Sequence, residues 1–591
     1  MARLTSFGVS AGLLLIAATL NAQTLSNASL TGRYFVRHVQ ITRSASGTVS
    51  DSRSIQGAIT FSGSGSYGFI GEQIIGSGSA APLTVSGTYS VNAAGVVTLS
   101  NPQNSALSVN ARYGAEAVIG ASTESTDNTF DLFVAIPSNA AQANAALNGT
   151  YYAADFELSP LSDSLVTLSM NGAGSVTAVS ATGHSTSIYS ETGTGGNYSV
   201  SGSGTLALTG LTLVTGSPRV LAVSDSGNVF VAASHNAHDI LIGVKAAASG
   251  ILAPALWTAG LRLDSGGVTE DFAGAAAPIN TTYITATERL HETGAILNTT
   301  ESNSYTEAAD GSGSWGPSKI GVGSGGNLMV SASGSATEDP TGYQISFSVA
   351  SPVLSGSSVF INPRGVVNAA SSAPGVDAIS PGEFVAIYGS GLAGTTTSAL
   401  PPYPMSVGNV SVTIGGIQAP IYFVSAGQID CLVPYGVSGS SAAVVVNNNG
   451  TLSNSVSVPL AKTSPGIFSL DASGTGDGAL LHLDSSVISA ANPATKGEVV
   501  EIYLTGLGAL TTPIADGHGA TAADFAPTPI SIYVGGVQVA AQDVLYWGVS
   551  SLPGLYQINF RVPANLTVTG ELPLAILTPD AFHDQVNIAV Q

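Results

Sequence analysis

Apolar and polar residues alternate along much of this chain. In YQINFRVP (556–563), Tyr556, Ile558, Phe560 and Val562 share one face, and Gln557, Asn559 and Arg561 share the other. A period of two makes a strand with one face in a core and one toward solvent. Runs of roughly five to eight such residues recur from Leu30 onward, separated by Gly, Ser and Asn clusters. That is the punctuation of antiparallel hairpins. The stretch SNAAQANAAL (138–147) reads as a short linking helix. The predicted class is all-β.

The strand pattern repeats in order. SPGEFVAIYGSGLAG (380–394) returns as TKGEVVEIYLTGLGA (495–509), VSVTIGGIQAP (410–420) as ISIYVGGVQVA (530–540), GQIDCLVP (427–434) as YQINFRVP, and NSVSVPLA (454–461) as DQVNIAVQ (584–591). Two copies of one domain follow, at 366–465 and 466–591. Upstream the echoes are looser. LTGRYFV (30–36) returns as LNGTYYA (147–153), GTYSVNAAGVVTLS (87–100) as GNYSVSGSGTLALT (196–209), and DSGNVFVAAS (225–234) as SGGNLMVSAS (324–333). They divide the rest into β units at 23–137, 138–250 and 251–365, each large enough to close a small barrel or a sandwich. The pairs Gly415-Gly416 and Gly535-Gly536 suit hairpin turns that need positive φ.

Gly389, Gly391 and Gly394 spell G-x-G-x-x-G after a strand, which raises dinucleotide binding. That fingerprint needs a helix opening on the glycines to hold the pyrophosphate. Here Pro401, Pro402 and Pro404 follow instead, and the next carboxylate is Asp430. The glycines therefore serve a β-turn, and no cofactor is expected.

These same segments carry a resemblance. SPGEFVAIYGSGL, VTIGG, IDCLVP and a closing strand resemble the IPT/TIG group of immunoglobulin-like domains. The tandem, with VVNAASSAPG (366–375), SPGIF (464–468), GDGALLHLDSSVISAANPATKGEVVEIYLTGLGA (476–509) and GLYQINFRVP (554–563), resembles the Solibacter uncharacterised C-terminal domain family. The resemblance implies a β-sandwich appendage on exported proteins, with no catalytic residues to carry over. The expected architecture is a chain of antiparallel β-barrel or β-sandwich repeats followed by two immunoglobulin-like sandwiches.

Composition narrows the function. Charged residues make up 9%, Lys and Arg number 15, and the net charge is −21. No basic cluster exists to neutralise phosphates, so nucleic acid and anionic membrane surfaces are disfavoured. MARLTSFGVSAGLLLIAATLNAQ reads as a secretory signal over 1–22, cleaved near Ala22. No other segment approaches the ~20 apolar residues of a membrane span. The lone Cys431 stands where the second copy has Phe560. It is expected to be a small core residue rather than a reactive thiol.

Candidate chemistry is thin. His235, His238 and Asp239 in SHNAHDI could share an ion, but the stretch reads as a polar turn with no further ligand in sequence. Asp155 and Glu157, two apart on a strand, form a candidate carboxylate pair for glycoside hydrolysis, although such neighbours more often face solvent. His184 beside Ser185 reads as a surface turn. Asp471, Asp477 and Asp484 read as turn residues rather than a calcium loop. Extra residues between Gly535 and Gln557 place LYWGVSSLP in an inserted loop, making Tyr546 and Trp547 the candidate binding loop. The alternative is that Trp547 caps the sandwich or packs on its sister. The expected function is that of an exported, non-enzymatic modular protein, secreted or at the cell surface. It would act in adhesion or in binding extracellular polysaccharide or surface protein. A polysaccharide-active enzyme and a structural spacer remain open beside it.

Overall fold

The computed structural model describes residues 25–591 except 45–47, 93–94, 115, 124–127, 140–141, 186, 194, 202–204, 211–218, 247–251, 253–255, 265–268, 279–282, 293–294, 334–341, 351–358, 373–377 and 521–523. The segment 1–22, read in sequence as a secretory signal, lies outside the described residues. The architecture is all-β, as the alternation predicts.

Eight antiparallel strands, from Thr31–Arg43 to Thr129–Pro137, close into a barrel because the first pairs with both the second and the last. The same plan recurs from Asn148–Leu158 to Asp239–Lys245 as a nine-stranded sheet whose two edge strands, Ile188–Gly193 and Asn197–Val200, are consecutive in sequence. An isolated Ser175–Asn197 bridge draws the Asn197–Val200 edge toward the start of Val176–His184, the strand beside the other edge. A third ring runs from Leu256–Asp264 to Gly342–Ala350 and closes through its first and last strands. The stretch expected as a linking helix holds a 3₁₀ turn, Asn144–Ala146. Asn and Ser before it favour local hydrogen bonds over a helix ladder.

One buried apolar cluster runs through all three rings. It includes Val39 and Phe130 of the first, Tyr151 and Phe156 of the second, and Trp257 and Phe347 of the third. The ring junctions also carry buried polar locks. His38 lies 2.8 Å from Asp131, whose backbone N–H donates to Asp271 at 2.8 Å, and His291 lies 3.0 Å from Asp271. Between the second and third rings, Asp163 accepts the backbone N–H groups of Ser333 and Gln344 at 2.7 and 2.9 Å.

Two sandwiches complete the chain, each with its own core. The first strand of the first sandwich is Phe360–Asn368, so this domain begins before the repeat at 366. The copies match residue by residue. Ile387 pairs with Ile429 and Ile502 with Ile558, and both Ile429 and Ile558 are fully buried. Gly415 and Gly416 have φ of 59° and 81°, and Gly535 and Gly536 have 55° and 77°. A short parallel pairing of Asn298–Thr300 with Ala581–His583 ties the third ring to the second sandwich.

Candidate functional site

Two of the sequence candidates meet in one place. Asp155 and Glu157 lie on Asn148–Leu158, and Glu157 pairs in register with Asp239 on the neighbouring strand. All three carboxylates converge on Arg219, at 2.5 Å to Asp155, 2.6 Å to Glu157 and 3.3 Å to Asp239. Arg37 reaches in from the first ring and donates to the carbonyls of Asp239 and Ala237, each at 2.8 Å. Burial, partly offset by Arg219, pushes the Asp155 carboxyl up to about 7. Burial also brings Arg37 down to about 10 against the pull of Asp239. Burial opposes the Arg219 charge too, but there the carboxylates win and hold it above its ordinary value.

This geometry corrects the reading of Asp155 and Glu157 as solvent-facing neighbours. They are buried, and a guanidinium occupies the space a glycosidase pair would leave for sugar and water. The histidines diverge. His235 is 58% exposed and lies 2.9 Å from Glu72 of the first ring. His238 lies 3.0 Å from the Ser54 hydroxyl and 2.8 Å from the Gly76 carbonyl. Asp239 turns inward to accept the Ser234 N–H and hydroxyl at 2.9 and 2.6 Å. Among the described residues no three His, Cys, Asp or Glu side chains gather as metal ligands. The cluster fastens two rings together. Sequence reasoning missed both arginines at its centre, although Arg37 in an apolar strand of a chain poor in cations was a signal.

His184 also differs from expectation. It ends the strand Val176–His184, is buried, and stacks on Tyr343 of the third ring at 4.6 Å. Strand pairing with Asp163 carries it into the ring junction, where a surface turn was expected. Cys431 is fully buried opposite Val385, as Phe560 is opposite Val500, and burial pushes its thiol pKa far up. Asp471 and Asp484 bond the backbone two residues on, at 3.0 and 2.9 Å, which is turn chemistry.

Tyr546 and Trp547 are not in an inserted loop. They belong to the strand Val544–Val549, the counterpart of Ile421–Val424. Both strands slip register by one residue at the same place, leaving Tyr422 and Leu545 bulged outward and 37% and 46% exposed. The extra residues sit on either side, in the 3₁₀ turn Ala541–Asp543 and the turn after Val549. Trp547 is half-buried against the second sandwich's core. Phe525, 44% exposed, meets Tyr546 and Trp547 edge-on at 5.1 and 5.6 Å. The first sandwich carries a similar trio of Phe384, Tyr403 and Tyr422.

Residues 374–460 match the IPT/TIG domain family. The molecule is therefore a modular all-β protein with an IPT/TIG domain, followed by a second sandwich of the same strand plan. No curated protein matches the chain. Two solved structures of the plexin A4 full extracellular region align with it. The one covering domains 1 to 8 is 8% identical over 91% of this chain and 80% of that one, with a TM-score of 0.14. The one covering domains 1 to 10 is 9% identical over 91% and 69%, with a TM-score of 0.13. Superposition that poor carries no functional argument. Among the described residues, no helix is long and apolar enough to cross a membrane.

Proposed function

We propose that this chain is an exported, non-enzymatic protein of adhesion or of extracellular polymer or protein binding, cleaved near Ala22. In this reading the tandem at 366–591 is a Solibacter-type C-terminal module, supported by the motifs the two copies share. The observation that carries the binding role is the half-exposed aromatic ridge of Phe525, Tyr546 and Trp547. Solvent-facing aromatics offer flat apolar area at low entropy cost, which suits sugar rings or a protein anchor. Against an enzyme stands the fate of the acids: Asp155 and Glu157 are buried and ion-paired with Arg219 rather than aligned across a cleft.

The test is solid-phase binding of the mature chain to extracellular polysaccharides and surface-protein extracts, with hydrolase assays on the same polymers. Phe525→Ser should reduce binding at least tenfold with little change in melting temperature. Release of reducing sugar by the wild type, or binding unaffected by Phe525→Ser, would count against this function.

A further inference from the structure

The second and third rings meet along a cleft of about 510 Å³. Ligand sites commonly span ~300–1,000 Å³. Each wall is a row of side chains in register across three strands. On the second ring the row is Tyr152, Thr167 and Ser180. On the third it is Thr306, Ser314 and Lys319. Residues in register across a sheet project from the same face, and all six border the cleft. The alternate residues Val166, Leu168 and Val179 belong to the buried apolar cluster instead. Tyr152 closes the base, its hydroxyl donating to the Asp310 carbonyl at 3.0 Å. Gly321 permits that approach, since a Cβ there would lie 2.1 Å from the Tyr152 Cβ.

Lys319 is half-buried, yet it has no hydrogen-bond or ion-pair partner among the described residues. The chain has 36 Asp and Glu against 15 Lys and Arg, so a cation without a partner is notable here, although half-buried Lys245 is in the same condition among the described residues. Glu307 also borders the cleft, with one carboxylate oxygen accepting the Tyr305 hydroxyl. Thr167 and Ser180 have no side-chain partner among the described residues. Thr306 and Ser314 bond each other at 2.7 Å and keep further hydrogen-bonding capacity. The cleft thus faces two lines of hydroxyls with one unpaired cation among them, beside the Tyr305-bonded carboxylate of Glu307 and the apolar Leu165 and Ile320.

From this arrangement we infer that the cleft binds a short acidic saccharide. Its ring hydroxyls bond Thr167, Ser180, Thr306 and Ser314, and its carboxylate or sulfate pairs with Lys319. A neutral sugar leaves the ammonium unpaired, and a bare anion leaves the hydroxyl rows unused. The inference rests on the binding reading and names a second site, remote in sequence from Phe525. No covalent step is involved.

Titration calorimetry of the full mature chain with trigalacturonate, a sulfated disaccharide and neutral cellotriose tests it. At least one charged sugar should bind tenfold or more tightly than cellotriose, and the stronger of the two identifies the anion. Lys319→Met should reduce that affinity to the neutral level, and Lys319→Arg should retain most of it. Should Lys319→Met lower the melting temperature, the wild type gives the same answer: the charged sugar should protect Lys319, but not Lys462, from amine acylation. Equal affinity for charged and neutral sugars, or no protection of Lys319, overturns the site. Polymer binding that depends on Phe525 while both of these fail would leave the broader function standing without this cleft.

Discussion

Asp163 shows how a single buried carboxyl can set pH behaviour. It sits between two rings, accepting two backbone N–H groups, and burial still pushes its pKa from 3.8 up to about 7. The folded state therefore binds more protons than the unfolded state between those values. Stability must fall as pH rises through that window. Asp155 and Asp271, also raised to about 7 by burial, act in the same direction. His583, which burial lowers to about 3, acts oppositely: its contribution is lost as pH falls below 6.5. Asp163→Asn isolates one term, because the amide oxygen can still accept both N–H groups while the charge is gone. Its melting temperature should match wild type near pH 4 and exceed it by a few degrees at pH 8. An advantage that shrinks as pH rises would refute the sign. The sequence announced none of this. Asp163 lies in a polar, alternating strand that reads as an ordinary solvent face, and Arg219, the partner of Asp155 and Glu157, opens the short apolar strand RVLAV with no acid beside it. Arg219 is more than sixty residues from Asp155 and Glu157, and only closure of the second ring brings it to them.

Strands and turns were far more legible, because their signals are local. Period-two alternation located YQINFRVP, and the repeated Gly-Gly pairs located two equivalent hairpin turns. One alignment step went wrong for an equally local reason. Treating the excess in the second copy as a single gap displaced Tyr546 and Trp547 from their strand, whereas a shared bulge keeps that strand in step and splits the excess around it. Such bulges leave little trace in sequence, since the outward residue is Tyr422 in one copy and Leu545 in the other. The turns allow a clean test. A Cβ at Gly416 or Gly536 would meet nothing within 4 Å, so only backbone conformation opposes a side chain there. Gly416→Ala and Gly536→Ala should each cost about 1–2 kcal/mol. Gly416→Asn should recover most of that loss, since Asn tolerates the left-handed region. Chemical denaturation reads all three. An alanine variant as stable as wild type would mean that the turn is not held at positive φ in solution.

Across the whole molecule, the placement of the cores decides which parts fold together. The repeats suggest five separate units, yet the three rings share one apolar cluster and are locked by Arg37 with Asp239, Asp131 with Asp271, and Asp163 with Ser333. The first and third rings hold further clusters of their own, but among the described residues no cluster joins either sandwich to the rings or to the other sandwich. The sandwiches are nonetheless joined to each other: the Phe384 N–H donates to the Thr505 hydroxyl at 2.7 Å and the Tyr435 N–H to Asp516 at 2.9 Å. Against these, the link between the third ring and the second sandwich is a three-residue parallel pairing. Cooperativity follows shared buried surface, because opening one ring would expose apolar residues of the other two to water. Calorimetry should therefore show the rings, 31–350, melting as one transition and the sandwiches, 360–591, as another. Arg37→Met makes the assignment. It removes a contact between the first and second rings without opening a large cavity, but leaves Asp239 with one cation fewer. It should lower the ring transition by a few degrees as a single peak, third ring included, and leave the sandwich transition in place. A first ring that melts by itself in this variant, with the other two unmoved, would show that the shared cluster does not couple them. The chain would then be the string of independent units that its repeats suggest.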